Sequence, residues 1–346
     1  MEKLSFASDY LEGAHPGILA RLAEINFQKN TGYSMDVHCA AAREKIRSAC
    51  ACPDGEVHFL TGGTQTNAMI IKYLLPAYQG VIAPVSGHIA THEAGAIEHG
   101  GHKVMTVPEY NGKLTASDVE KLVKTFCADG NREHMVMPGM VYVSQPTESG
   151  TLYSLAELEA ISKVCRENDL YLYVDGARLA YALACPANDV KLPDLARLCD
   201  VFYIGGTKCG ALMGEAVVFP KPGLIPHFYT LTKQHGAMLA KGWLLGVQFD
   251  VLFADGFYEA IGENAVQFAD AIRQKVTQKG WKLCFGSPTN QVFVELPDAL
   301  LRKLEEKVSV SFWEKTDENH TIVRLATSWA TRSEDVEKLL LVLDSI

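Results

Sequence analysis

The chain has 346 residues, of which 48% are hydrophobic and 21% charged, with a formal net charge of −9. That length and apolar fraction support a full buried core in one large domain with a smaller one beside it. An acidic balance with scattered lysines and arginines excludes a nucleic-acid footprint or an anionic membrane surface, so a small molecule is the expected partner.

The nine cysteines are an odd number without framework spacing, which fits reduced core thiols rather than disulfides. The start, Met-Glu-Lys-Leu-Ser-Phe, lacks the basic-then-apolar pattern of a signal peptide, and no run is long and apolar enough to cross a bilayer. A cytoplasmic protein is expected.

From about residue 55 onward, apolar strand-like runs alternate with helix-like segments, the pattern of a sheet built from βαβ units. Strands are predicted over 58–60, 80–85, 140–144, 171–174, 201–204 and 216–219. The first runs into Leu60-Thr-Gly-Gly-Thr-Gln-Thr-Asn67, a glycine-rich loop feeding a helix-like run over 68–75. A helix start of this kind offers free backbone N–H groups and a positive dipole end to an anion. Read locally, the same loop is a glycine turn with a Thr or Asn cap. It matches neither dinucleotide nor P-loop spacing, so a monophosphate is the expected anion.

His88, His92, Glu93, His99 and His102 crowd the next segment, and His88 and His92 are spaced for one helix face. Glu93 is followed by Ala94-Gly95-Ala96 and not by the second ligand of His-Glu-x-x-His, so no metal is expected. Further on, Ser154 and Glu157 form a capping box, and Leu158, Ile161 and Cys165 form the stripe of a helix packed on the sheet.

Two later strands end in reactive side chains. Leu170-Tyr-Leu-Tyr-Val174 runs into Asp175-Gly-Ala-Arg178, and the strand over 201–204 runs into Gly205-Gly-Thr-Lys208. A lysine by itself in such a place is an ordinary surface cation. In an open parallel sheet, however, ligands bind outside the carboxyl ends of the strands, which brings Asp175 and Lys208 to one crevice. An imine-forming amine and a carboxylate for a pyridine nitrogen are what pyridoxal 5'-phosphate (PLP) chemistry requires.

After the segment 241–248 the pattern changes to helices with shorter alternating strands, a second and smaller α+β domain. Its last strand is predicted over 320–327, with Ile322, Arg324 and Ala326 on one face. The large domain is expected over 14–248, and the small one over 249–346 together with 1–13.

Together these motifs resemble the fold-type I PLP-dependent enzymes, specifically the threonine aldolase and β-eliminating lyase family. The resemblance runs through Ser8-Asp9, His15-Pro16, Gly63-Thr64, His88 with Glu93, Asp175-Gly-Ala-Arg178, Lys208 and Arg324-Leu-Ala-Thr-Ser-Trp-Ala330. It implies the aspartate aminotransferase-like α/β fold, with a large, mostly parallel seven-stranded sheet domain and a smaller α+β C-terminal domain. It also implies that Lys208 binds PLP covalently and that Asp175 pairs with its pyridine nitrogen. Arg178 would lie by its hydroxyl, with Gly63, Thr64 and Thr207 at its phosphate and His88 flat against its ring. Ser8 and Arg324 would clamp a substrate α-carboxylate. The implied reaction cleaves a β-hydroxy-α-amino acid to glycine and an aldehyde, with His88, Glu93 or a water taking the hydroxyl proton and His88 favoured. A homodimer or homotetramer with its site at a subunit boundary is implied as well.

The chain departs from the family at several positions. Many members carry Asn-Thr-His where this one has Gln145-Pro-Thr-Glu148, so Glu148 stands where a histidine would face the substrate hydroxyl. Cys209 follows Lys208 in place of Gly or Asn. Lys233 replaces an arginine that in relatives reaches a neighbouring subunit's phosphate, and Tyr33-Ser-Met-Asp36 has serine for glycine in a segment whose tyrosine would reach the partner site. β-Elimination, transamination and a ligand-binding protein without catalysis are the rival readings. The first two share Lys208 and Asp175 and differ in what leaves.

Overall fold

The structure is a computed structural model describing residues 3–346. Its thirteen strands are β1 (Leu4–Ser5), β2 (Glu56–Leu60), β3 (Gln79–Pro84), β4 (Val104–Val107), β5 (Met137–Ser144), β6 (Tyr171–Asp175), β7 (Val201–Gly205), β8 (Glu215–Phe219), β9 (Lys282–Leu283), β10 (Gln291–Pro297), β11 (Val308–Ser309), β12 (Ser311–Lys315) and β13 (His320–Ala326). Seven of them form one sheet in the order β2-β8-β7-β6-β5-β3-β4, and four form another in the order β12-β13-β10-β9. The pairs from β4 through β7 are parallel, and β8 lies antiparallel to both β7 and β2. This is the mostly parallel seven-stranded α/β sheet, with a smaller antiparallel sheet, that the family resemblance implies.

The central strands are buried on both faces, which is why they read as continuous apolar runs. Side-chain alternation splits them between two cores. Val141, Val143, Leu172, Val174, Phe202 and Ile204 enter one. Met140, Tyr142, Tyr173, Val201 and Tyr203 enter the other, so three tyrosines share a face. That face also carries Asp175, two positions beyond Tyr173.

The helix Leu155–Glu167 has its capping box, with the Ser154 hydroxyl accepting from the Glu157 N–H at 3.2 Å and Glu157 accepting from the Ser154 N–H at 2.8 Å. Two features differ from expectation. Strand β4 went unpredicted because it is a four-residue edge strand with one buried side chain, too little contrast for a periodicity. The helix after the glycine loop begins at Gly63 rather than near Ala68, because Gly62 in an extended conformation serves as its N-cap and the loop's polar residues form the first turn.

A third core surrounds the smaller sheet and includes Ile272, Val294, Val323 and Leu339 together with Phe6. The strand β1 pairs in parallel with β11, so Leu4 and Ser5 lie beside Val308 and Ser309. Where the helices Val37–Ala49 and Trp243–Leu252 cross, a side-chain carbon on Gly246 would come within 2.6 Å of the Cys39 Cα. Only glycine permits that approach. Gly246→Ala is therefore expected to lower stability by about 2 kcal/mol in urea unfolding; an unchanged midpoint would mean that the crossing is looser than described.

Candidate active site

The carboxyl ends of β5, β6 and β7 and the loop after β3 converge on a cavity of about 420 Å³. Asp175, the last residue of β6, lies at its floor and is 4% exposed. Its carboxylate accepts from the Tyr142 hydroxyl at 2.6 Å, the Tyr203 hydroxyl at 2.5 Å, the Ala177 N–H at 2.9 Å and the Asn67 amide at 3.1 Å. Burial alone would raise its pKa, but the His88 charge and these donors together hold it below the ordinary aspartate value. The floor of the cavity is thus an ionised carboxylate.

Lys208 follows β7 by three residues and is half-buried in the cavity wall, its carbonyl held by the Tyr181 hydroxyl at 2.6 Å. Burial first, and then the Arg178 charge, lower its pKa and favour the neutral, nucleophilic amine. Opposite, the helix Gly63–Leu74 presents a first turn without a side-chain cap, and Gly63 and Thr64 line the cavity. A helix of this length with an open N-terminus facing a pocket suits an anion.

His88 begins the short helix His88–Thr91. Its Nδ1 lies 2.8 Å from Glu93 Oε1, and the same oxygen accepts from the Asn67 amide at 2.6 Å. Burial works to lower the His88 pKa and is outweighed by Glu93 and by the Asp175 charge, so it stands above the ordinary histidine value. Glu148 accepts from the Ser144 hydroxyl at 2.7 Å and the His88 backbone N–H at 3.1 Å, and burial pushes its pKa up.

A second cavity of about 230 Å³ shares His88, Glu148 and Lys208 with the first and ends at Arg324. The Arg324 guanidinium donates to Gln291 at 3.0 Å and to the Ala7 carbonyl at 3.1 Å, and burial together with the Arg178 charge pulls its pKa down to about 10. Its Nε and the Ser8 Oγ are buried without a partner among the described residues, as are Glu148 Oε2 and Glu93 Oε2. Unsatisfied buried polar atoms of this kind mark a place for a ligand.

Three expected residues sit differently from their simplest reading. Arg178 borders the cavity, yet its guanidinium forms a bidentate pair with Asp9 at 2.6 and 3.0 Å, and Asn290 also donates to Asp9 at 2.9 Å. The Thr207 hydroxyl donates to Glu215 at 2.9 Å and accepts from the Gly214 N–H at 3.0 Å, so its single proton is committed within the protein. Tyr33 and Lys233 lie against one another, the ammonium 3.9 Å from the ring centroid, and neither lines the two cavities. Among residues the sequence did not single out, Asn67, Tyr142, Tyr203 and Glu215 all touch the site. Tyr142, Tyr203 and Glu215 could be recognised only from their places in the sheet register, and Asn67 only from the true start of its helix.

The profile of the family described as beta-eliminating lyase matches residues 5–317. The chain belongs to the β-eliminating lyase family. Within that family it is 31% identical over 306 residues to a low specificity L-threonine aldolase of a Pseudomonas species, covering 87% of each chain. It is 30% identical to one of Pseudomonas aeruginosa, over 96% of this chain and 95% of that one. Among solved structures, a threonine aldolase of Leishmania major superposes with a TM-score of 0.95 at 42% identity, covering 99% of this chain and 98% of the other. An aspartate aminotransferase of Thermus thermophilus, at 17% identity and a TM-score of 0.74 over 99% of this chain and 91% of its own, shares the fold.

Because the Asp9–Arg178 pair is buried, removing one partner leaves a charge without compensation. Asp9→Asn is expected to cost about 3 kcal/mol in urea unfolding; a loss within the error of the method would show that water reaches Arg178.

Proposed function

We propose that this lyase is a PLP-dependent aldolase that cleaves β-hydroxy-α-amino acids of the threonine, allo-threonine or phenylserine type to glycine and an aldehyde. The observation that carries the proposal is the meeting of a deprotonation-prone lysine, a charged buried carboxylate and an open helix N-terminus in one cavity, with an under-bonded arginine at the far end of the second cavity that shares the lysine. These residues fit PLP, which offers an aldehyde, a basic pyridine nitrogen and a phosphate.

When bound, PLP supplies an electron sink for the pair left at Cα as the Cα–Cβ bond breaks. The side chains divide the remaining work. Lys208 attaches the cofactor through its neutral amine, and Asp175 keeps a proton on the ring nitrogen. The Gly63 and Thr64 N–H groups hold the phosphate, with Thr207 in the loop beside it. His88 covers the ring, and Arg178 borders the cofactor's hydroxyl while remaining paired to Asp9. Arg324 and Ser8 direct their free Nε–H and O–H donors to the substrate carboxylate, for which a guanidinium is well shaped.

The β-hydroxyl proton goes to His88. Glu93 occupies Nδ1, which leaves Nε2 as the acceptor and strengthens it as a base. Glu148 adjoins this position from the loop after β5 and bears on the choice of substrate. Glycine would leave once Cα has regained a proton and the Lys208 amine has retaken its bond to the cofactor in place of the glycine nitrogen.

We further propose a homodimer or homotetramer in which Tyr33 and Lys233 lie at the subunit boundary. The exposed Phe27, Met35 and Val37 near Tyr33 support this surface. The division into 14–248 and 249–346 with 1–13, and a cytoplasmic location, belong to the same proposal; among the described residues no helix is long and apolar enough to cross a membrane. The family description also favours β-elimination as a second activity, and product analysis separates the two.

Holoenzyme given a panel of β-hydroxy amino acids should release glycine and aldehyde in equal amounts, and Lys208→Ala should lose turnover at least about a thousandfold together with its covalent cofactor. Pyruvate and ammonia from serine or cysteine, without glycine from threonine, would replace cleavage by elimination. His88 accepts a proton only above its own pKa, so activity should fall as pH drops through that value. Glu93→Gln removes the group that raises it and should move this acid limb to lower pH; an unmoved limb would exclude His88 as the acceptor.

A further inference from the structure

Glu215 is a buried acid that the reaction above leaves unused. It opens β8, where the register sets it between Leu60 of β2 and Gly205 of β7. Those neighbours lead directly into the two loops that border the anion end of the cavity, Thr61-Gly-Gly-Thr64 and Gly206-Thr-Lys208. The carboxyl, in a side chain 3% exposed overall, therefore stands at the start of an interior strand next to both loops and lines the same cavity as Gly63, Thr64 and Lys208. One oxygen accepts from the Thr207 hydroxyl at 2.9 Å and the other from the Gly206 N–H at 3.1 Å.

Two facts conflict if this carboxyl is charged. A phosphate held at Gly63 and Thr64 would share a water-poor pocket with a second anion, and like charges so placed cannot both persist. Meanwhile Thr207, the hydroxyl expected to serve the phosphate, already donates its one hydrogen bond to Glu215. Both conflicts disappear when the acid carries a proton of its own.

Building on the PLP reading above, we propose that Glu215 binds the cofactor phosphate as a neutral acid, its carboxyl O–H donating a hydrogen bond to a phosphate oxygen. Thr207 and Gly206 then orient the carboxyl from behind, and Glu215 supplies the donor that Thr207 cannot. Burial pushes its pKa up to about 8, against the opposing pull of Thr207 and Lys208. The titratable groups that face it are Lys208 and Cys209 in the adjoining loop, Asp175 and Tyr173 on β6, Tyr203 on β7 and Tyr258 from the helix Phe257–Ala260.

The test is the PLP dissociation constant of wild type, Glu215→Gln and Glu215→Ala, read by cofactor absorption from about pH 6.5 to 9.5, with pyridoxal, which lacks the phosphate, as control. Wild-type affinity for PLP should fall as pH rises through the titration of the acid. Glu215→Gln keeps a neutral donor, so it should stay within about threefold of wild type at neutral pH and lose that fall. Glu215→Ala should bind PLP at least about tenfold more weakly, and pyridoxal should bind all three alike. The proposal is overturned if Gln weakens binding as much as Ala while circular dichroism shows both folded. It is equally overturned if wild type and Gln share one pH profile, or if pyridoxal is affected as strongly as PLP. Wild-type protein that takes up no PLP would overturn the cofactor reading as well, whereas the other failures leave that reading standing.

Discussion

An ionised carboxylate at the end of a buried strand is tolerable only when donors replace the water it has lost, and Asp175 imposes that condition on everything around it. Tyr142 comes from the strand on one side and Tyr203 from the strand on the other, each placed by the pleat on the face that Asp175 shares. Asn67 arrives from the first helix of the sheet. Its amide nitrogen divides between Asp175 and Glu93, and its oxygen takes the Tyr173 hydroxyl at 2.6 Å. Glu93 in turn fixes the imidazole of His88. One charge thereby sets the positions of three strands, a helix and the histidine segment.

The five buried acids of the site differ in state because they differ in donors. Asp175 has four, and Asp9 has a bidentate guanidinium and an amide, and both are held below the ordinary carboxylate range in spite of burial. Glu93, Glu148 and Glu215 have fewer or weaker donors, so burial prevails and each is raised. The cavity is therefore much less negative than a count of its carboxyls suggests. That matters for a pocket expected to receive a phosphate at one end and a carboxylate at the other.

Much of this site could be read before the fold was known, for a definite reason. Asp175, Lys208 and the Gly63-Thr64 turn each follow an apolar strand, and strand ends in a parallel sheet mark where ligands gather. Arg324 stood out because a charge alternated with apolar neighbours on one face. Tyr142, Tyr173 and Tyr203 gave no such signal, since an aromatic residue in an apolar run reads as packing and its hydroxyl acquires meaning only once the strands are aligned. Asn67 read as loop because the glycines before it hid the start of the helix. Glu215 lies one residue before the strand expected over 216–219 and so drew no attention, and Arg178 and Thr207 were legible as site residues while their hydrogen bonds, to Asp9 169 residues away and to Glu215 eight residues on, showed only in the folded chain.

Those long contacts govern when the site can exist. Asp9 meets Arg178 across 169 residues, and the backbone of Ala7 meets Arg324 across 317. Residues 7–9 thus wait, as the chain is made, for a sheet whose last strand ends at Ala326. Contacts of such separation form late and slowly. The large sheet can assemble around Asp175 and Lys208 well before Ser8 and Arg324 come together, so the carboxylate end of the site is completed only when almost the whole chain has emerged. An interrupted product of translation would carry the reactive amine without the pocket that chooses its substrate.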